Sequence, residues 1–222
     1  MKKHTYTLIS LGIFAGPFLL SFHPLAFFIQ YLPAVFASVV IVGGLYIVWD
    51  MLAVKWGHWR FNNEYVGEVR WFGLPPGEWL FFVVVPYACL FVYEVSRVLF
   101  PVTEDIPSLW WIQLVLGFLF MVLAWVWRKQ GYTLLAMGSV AFFWFLSAFF
   151  SPGIITSSTF WIFMGFSMVA FVIFDGLYVN LPTIFYNDTA IWGMKILRIP
   201  LEDFLYNFSL LGLALVVYLQ FR

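Results

Sequence analysis

Apolar runs of about 20 residues recur along the whole chain, and this feature constrains the fold more than any other. Hydrocarbon offers no partner for a free backbone N–H or C=O, so a run of this length has to fold as a helix. Runs at 6–22, 33–51, 79–99, 109–127, 132–150, 159–178 and 202–220 predict seven membrane-spanning helices. The chain is 64% hydrophobic and 10% charged, with a mean hydropathy of +0.94, whereas soluble domains are roughly half apolar and a quarter charged. No run shows the alternation of a membrane strand. The expected fold class is therefore all-α integral membrane, with membrane lipids as its surroundings. Such a chain leaves no soluble domain for a cofactor, and its zero net charge does not point to a nucleic-acid partner. Cys89 is the only cysteine, which excludes an internal disulfide.

The chain repeats itself. Tyr6-Thr-Leu-Ile-Ser-Leu-Gly12 is matched by Tyr132-Thr-Leu-Leu-Ala-Met-Gly138 at an offset of 126, and Ser21 then falls on Ser147. The opening Met1-Lys-Lys-His with its apolar run has the layout of a signal peptide. Because the same run recurs inside the chain, it is read as a structural helix. Two loops of about 25 residues, 52–78 and 179–201, also correspond: Phe61-Asn62 aligns with Tyr186-Asn187 and Pro75 with Pro200 at an offset of 125. The unit is three helices with a long loop between the second and third. The boundaries follow as a first repeat over 1–105, a connecting helix over 106–128 and a second repeat over 129–222. Three helices and one connector make an even number of crossings, so the halves should be parallel repeats about an axis along the membrane normal. That symmetry usually places a site at the repeat interface.

Orientation follows from the basic residues. Lys2, Lys3, Lys55, Arg60, Arg70, Arg128, Lys129, Lys195 and Arg198 fall on the N-terminal side, and only Arg97 and Arg222 on the other, a nine-to-two split. The N-terminus and both long loops should be cytoplasmic and the C-terminus outside.

On this arrangement five carboxylates share one depth. Asp50 and Asp175 close the second and sixth helices, while Glu78, Glu202 and Asp203 open the third and seventh. The spacing recurs: Asp50 lies 28 residues before Glu78, and Asp175 lies 28 before Asp203. An acid in or near hydrocarbon is costly and marks a candidate functional group. Proline followed by an acid is also ordinary chemistry for a helix N-terminus, where free amides and the dipole favour negative charge. That reading does not cover Asp50 and Asp175, since an acid in the last turn opposes the dipole.

Other features are read as structural. His4, His23 and His58 have no metal-ligand spacing, so no metal site is assigned. Glu94 and Arg97 should pair on a helix surface, and Glu104 and Asp105 should lie in a solvated loop. Trp71, Trp79, Trp110 and Trp111 look like interfacial anchors. No Gly-x-Gly-x-x-Gly signals a dinucleotide fold. No Asp-Asp-x-x-Asp motif is present to bind a diphosphate through magnesium. The last span contains no lysine for a retinal Schiff base.

The pattern Trp49-Asp50, Trp56-Gly57-His58-Trp59-Arg60-Phe61-Asn62 and Gly73-Leu-Pro-Pro-Gly-Glu78-Trp-Leu-Phe-Phe82 with Pro86-Tyr-Ala-Cys89 resembles one half of the heterodimer-type lycopene cyclases. Asp175 and Ile199-Pro-Leu-Glu-Asp203 resemble the other half, so the whole chain is similar to the fused form of that family. One departure stands out: the family carries two adjacent acids in each motif, whereas the first repeat has Gly77-Glu78.

The resemblance implies a lycopene β-cyclase acting on lycopene or another acyclic carotenoid within the bilayer, in contact with other enzymes of carotenoid synthesis. A proton is delivered to a terminal double bond, a carbocation closes the ring, and a base removes a ring proton. There is no net redox change, so no cofactor is implied. A carboxylic acid in an apolar pocket is suited to deliver that proton, a neighbouring carboxylate to stabilise the cation and accept the second one, and aromatic faces to shield it. The implied catalytic set is Glu78, Glu202, Asp203, Asp50 and Asp175, with Trp79, Phe82 and Tyr206 as substrate-binding aromatics. Glu202 and Asp203, adjacent on a helix, point about 100° apart, so one should face the pocket and the other a helix end or partner helix. A carotenoid hydratase and a non-catalytic carotenoid carrier remain alternative readings of the same residues.

Overall fold

The computed structural model describes residues 2–101 and 108–222 of the chain; Glu104 and Asp105 lie outside the described residues. Helix α1 spans Thr5–Leu20. It is followed by a rod made of α2 (Leu32–Ser38), a π-helical turn (Val39–Gly43) and α3 (Gly44–Lys55). A short α4 (Asn63–Val66) lies in the first long loop. Then come α5 (Pro76–Leu99), α6 (Trp110–Val126), α7 (Gly131–Phe150), α8 (Ser158–Asn180) and α9 (Leu201–Phe221). The rod over Phe28–Lys55 and α5, α7, α8 and α9 are each long and apolar enough to cross a membrane, and α1 and α6 are shorter apolar helices. The seven expected helices are therefore present, in two three-helix halves joined by α6.

Helices α3 and α8 run past the ends expected at 51 and 178, to Lys55 and Asn180. Asp50 and Asp175 each lie five residues before those ends, more than a turn inside. Their conflict with the dipole is correspondingly weaker, because the effect fades beyond the terminal turn. At the opposite termini, α5 and α9 start as the prolines dictate. Pro75 and Pro200 are both extended, at ψ 155° and 144°, and the first turn of each helix carries its acids.

The repeat is visible in the backbone of both long loops. Strand β1 (Trp59–Phe61) pairs antiparallel with β2 (Ile184–Tyr186), with Trp59 opposite Tyr186, Arg60 opposite Phe185 and Phe61 opposite Ile184. The asparagines beside these strands bond reciprocally. The Asn62 N–H donates to Thr183 O at 2.9 Å and its Nδ2 to Pro182 O at 3.0 Å; the Asn187 N–H donates to His58 O at 2.8 Å and its Nδ2 to Gly57 O at 3.0 Å. Each loop also ends in the same two-residue hairpin. Trp71 bridges Leu74 around Phe72-Gly73, and β3 (Lys195–Ile196) pairs with β4 (Ile199–Pro200) around Leu197-Arg198. All four central residues have positive φ, at 53°, 90°, 51° and 71° in chain order, as a type I′ turn requires.

The halves are interleaved. Helix α1 packs on α5 and α7 on α9, while α8 packs on α5 and α2 on α9. Each half thus lends its second helix to the third helix of the other. The connector α6 packs on α7.

At the end of the bundle away from the long loops, Glu94 is not on a helix surface. It is fully buried and takes Arg97 Nε at 3.0 Å, Arg222 Nε at 2.7 Å and the Tyr218 hydroxyl at 2.9 Å. Both arginines of that end converge on one carboxylate, which ties α5 to the last residue of the chain.

Candidate active site

Where the two halves meet, beneath the paired loops, lies a cavity of about 340 Å³. Four of the five predicted acids line it: Asp50 from α3, Glu78 from α5, Asp175 from α8 and Asp203 from α9. Each half contributes one acid from its second helix and one from the start of its third. No lysine, arginine or histidine shares the lining, which is otherwise almost entirely apolar and aromatic. Four carboxyls crowded into such a space cannot all be ionised, so the cavity holds exchangeable protons.

The four acids are not equivalent. The two Asp203 oxygens each accept a phenol, from Tyr132 at 2.5 Å and Tyr186 at 2.6 Å. Burial, with the nearby Asp203 and Asp175 carboxyls, pushes the Tyr186 hydroxyl well above its ordinary range, so it stays a donor. A carboxylate with both oxygens bonded to O–H donors is satisfied in its charged form. Asp50 accepts the Tyr206 hydroxyl at 2.9 Å and stands close enough to Glu78 for the two carboxyls to share a proton, with the Tyr6 hydroxyl also beside Glu78. Glu78 Oε2 and Asp175 Oδ2 are buried with no hydrogen bond among the described residues.

These differences follow from three substitutions between the repeats. Tyr186 stands where the first half has Phe61, so Glu78 lacks the second phenol that Asp203 has. Tyr206 stands where the first half has Phe81, so Asp175 lacks the phenol that Asp50 has. The third is Gly77 against Glu202. Glu202 is not in the cavity lining. Its Oε1 accepts the Thr133 hydroxyl at 2.5 Å and the Trp192 N–H at 2.6 Å, which fastens the second long loop to α7 and α9. At Gly77 a Cβ would lie 2.6 Å from the Tyr6 ring and 3.3 Å from the Thr7 backbone nitrogen, so α1 leaves no room for a side chain there. The departure at Gly77 thus removes a loop fastening and no cavity acid.

Of the three aromatics expected to touch substrate, Tyr206 lines the cavity. Phe82 is fully buried in the apolar core, and Trp79 points to the loop, where its indole N–H donates to Trp71 O at 3.2 Å. Neither lines the cavity. The lining includes residues that the sequence did not single out for a site, among them Tyr6, Phe81, Tyr132, Tyr178 and Tyr186. Tyr6 and Tyr132 open the recurring segment, and that recurrence was a usable signal. Phe81 lies three residues after Glu78, as Tyr206 does after Asp203, on the same helix face as the acid.

An apolar cavity in which two carboxyls stand within reach of each other and a third accepts two phenols is suited to protonating an uncharged substrate and stabilising the resulting cation. The sequence model of the family described as lycopene cyclase matches residues 3–96 and 129–221 and leaves out the connector. No curated protein and no solved structure gives a significant match.

Proposed function

We propose, from the premise that the chain belongs to the lycopene cyclase family, that it closes β-rings on the ψ end groups of lycopene by proton transfer alone. The observation that supports this best is the cavity at the repeat interface, lined by four acids in unlike environments. The Asp50–Glu78 pair is the proton donor, delivering to the terminal double bond. The cation at the protonated end is attacked by the next double bond along the chain, which closes a six-membered ring and moves the charge onto a ring carbon. Asp203, held by Tyr132 and Tyr186, faces that charge and removes a ring proton, which leaves the β double bond. One proton enters and one leaves, so the product is an isomer of the substrate and no electron carrier takes part. Asp175 lies near both Asp203 and Glu78 and is the group through which the proton returns to the donor pair. Phe81, Phe174 and Tyr206 line the cavity as aromatic faces for the cation.

The test is pigment analysis in a lycopene-accumulating bacterial host. A cyclic hydrocarbon is the expected product. A hydroxylated acyclic product would mean that water traps the same cation, and unchanged lycopene would reduce the protein to a carrier. The proposed setting is the cytoplasmic membrane with the N-terminus inside, in line with the nine-to-two distribution of basic residues. Reporter fusions after Lys129 and after Arg222 should then report opposite sides.

A further inference from the structure

The cavity is the foot of a groove. Helices α1 and α8 both flank α5. They are pinned together at the loop end, where Tyr6 stacks on Tyr178 at 4.3 Å and Ser10 Oγ lies 3.0 Å from the Tyr178 hydroxyl. Past that pin the lining continues along α5 through Val85, Cys89 and Val92, with Phe166 and Phe171 on the α8 side. From Glu78 to Val92 the floor is about 21 Å long at 1.5 Å per residue. On the α1 side Gly12 and Gly16 also line it; both are exposed, and a Cβ on either would meet nothing within 4 Å. The groove is therefore apolar, open to the bilayer along α1, and ends at buried carboxyls, two of which, Glu78 and Asp175, have an oxygen without a hydrogen bond among the described residues.

The repeat offset places a counterpart groove between α7 and the α2–α3 rod, floored by α9. That counterpart is filled. Phe171 is replaced there by Tyr46, whose hydroxyl donates to Ser209 Oγ at 2.7 Å. Ile13 is replaced by Ser139, whose Oγ is 2.7 Å from the same Ser209 Oγ. The counterparts of Val85, Ala88 and Cys89 are Leu210, Leu213 and Ala214, all three buried, and Gly16 is replaced by the larger but exposed Phe142. The Phe143 ring occupies the space into which a side chain on Gly212 would project.

We propose that the polyene chain of the substrate lies in the α1–α8 groove with one end group among the acids, and that the filled counterpart makes the protein single-ended. Each binding event then cyclises one end, and a bicyclic product requires release and re-entry by the other end. The occupant is a long uncharged hydrocarbon because the groove is continuous with the acid cavity, carries no charge along its length and opens to lipid. The inference rests on the cyclase reading for the chemistry at the foot, and its test separates the two.

Wild type, Gly16→Phe, Gly12→Phe and the control Phe142→Ala are reconstituted in phosphatidylcholine liposomes containing lycopene. Polyene binding is read by quenching of tryptophan fluorescence, products are read over time, and the folded fraction is read from detergent melts. Gly16→Phe and Gly12→Phe fill the open groove and should weaken binding by roughly tenfold or more, on the scale of overpacking a filled site, while Phe142→Ala binds like wild type. Monocyclic product should accumulate first, with a lag before the bicyclic one. Wild-type binding by both glycine variants, or bicyclic product without free monocyclic product, would overturn the inference and leave the cyclase reading intact. Polyene that binds wild type, is lost from the glycine variants and is never cyclised would overturn the cyclase reading and leave the groove.

Discussion

Arg60 lies directly opposite Phe185 in the β1–β2 ladder, and its guanidinium sits 4.6 Å from the centre of that ring. The two residues are 125 positions apart, so each faces its own equivalent in the other half. A pair of that kind can exist only on a local two-fold axis. Because both loops sit at the same end of the bundle, the axis relates the halves without inverting either across the membrane, as expected of parallel repeats.

The reciprocal asparagines close that axis and predict equal penalties. Asn62→Ala and Asn187→Ala each remove one side-chain bond to the opposite loop, worth about 0.5–1.5 kcal/mol, together with the exposed local bonds that Asn62 Oδ1 accepts from the Glu64 N–H and Asn187 Oδ1 from Thr189. Melting in detergent should fall by a similar amount for both. A large loss in one and none in the other would show that the loops are not closed symmetrically.

The cavity acids should separate cleanly from Glu202. Asp50→Asn, Glu78→Gln and Asp203→Asn should each lower ring formation by about 10²–10⁴, the scale of a lost general acid or base. Glu202→Gln should keep most of its turnover and loosen the 179–201 loop instead, which limited proteolysis would detect. Pigment per inserted protein is the measurement, and an inactive Glu202→Gln that resists protease as wild type does would return that residue to the chemistry.

Tyr186→Phe tests whether Asp203 acts as a carboxylate. The substitution installs the residue found at the equivalent position 61 and removes one of the two donors. A hydrogen bond to a charged group is worth about 1.5–3 kcal/mol, so turnover should fall roughly 10- to 100-fold. Unchanged turnover would place the base elsewhere.

Glu94→Gln tests the far end. It leaves Arg97 and Arg222 without their carboxylate. Breaking a buried pair costs about 3–5 kcal/mol, and here the cost should be lower because both arginines keep access to water. Melting should drop while turnover per folded protein stays level, since Glu94 is absent from the cavity lining. A turnover defect larger than the stability defect would couple the two ends of the bundle.

The helices and the four cavity acids were legible because acids in apolar runs are rare and these recur at one spacing. The two members of the Glu202–Asp203 pair were not distinguishable by type. Aligning the repeats separates them, since the acid common to both halves is Glu78 and Asp203, and position 77 has no side chain. Phe81 lines the cavity and Phe82 does not because of helical angle: the residue three after the acid shares its face, and the residue four after it faces the core here. The phenols on Asp203 were out of reach for another reason. Tyr132 comes from a neighbouring helix and Tyr186 from a loop strand, and no periodicity within one element links either to position 203. The further partners of Glu94 were hidden likewise, because Tyr218 and Arg222 reach it only through the packing of α9.

Phe61 opposite Tyr186 in repeat position, and Phe81 opposite Tyr206, have a consequence for ancestry. Two identical subunits related by a two-fold would have to carry any change on both sides of the axis, so their acids would be matched in partners and strength. Joining the halves through α6 lifts that obligation. One copy can then drift towards giving up a proton and the other towards receiving it, and a division of labour that identical subunits could not evolve becomes available to a single chain.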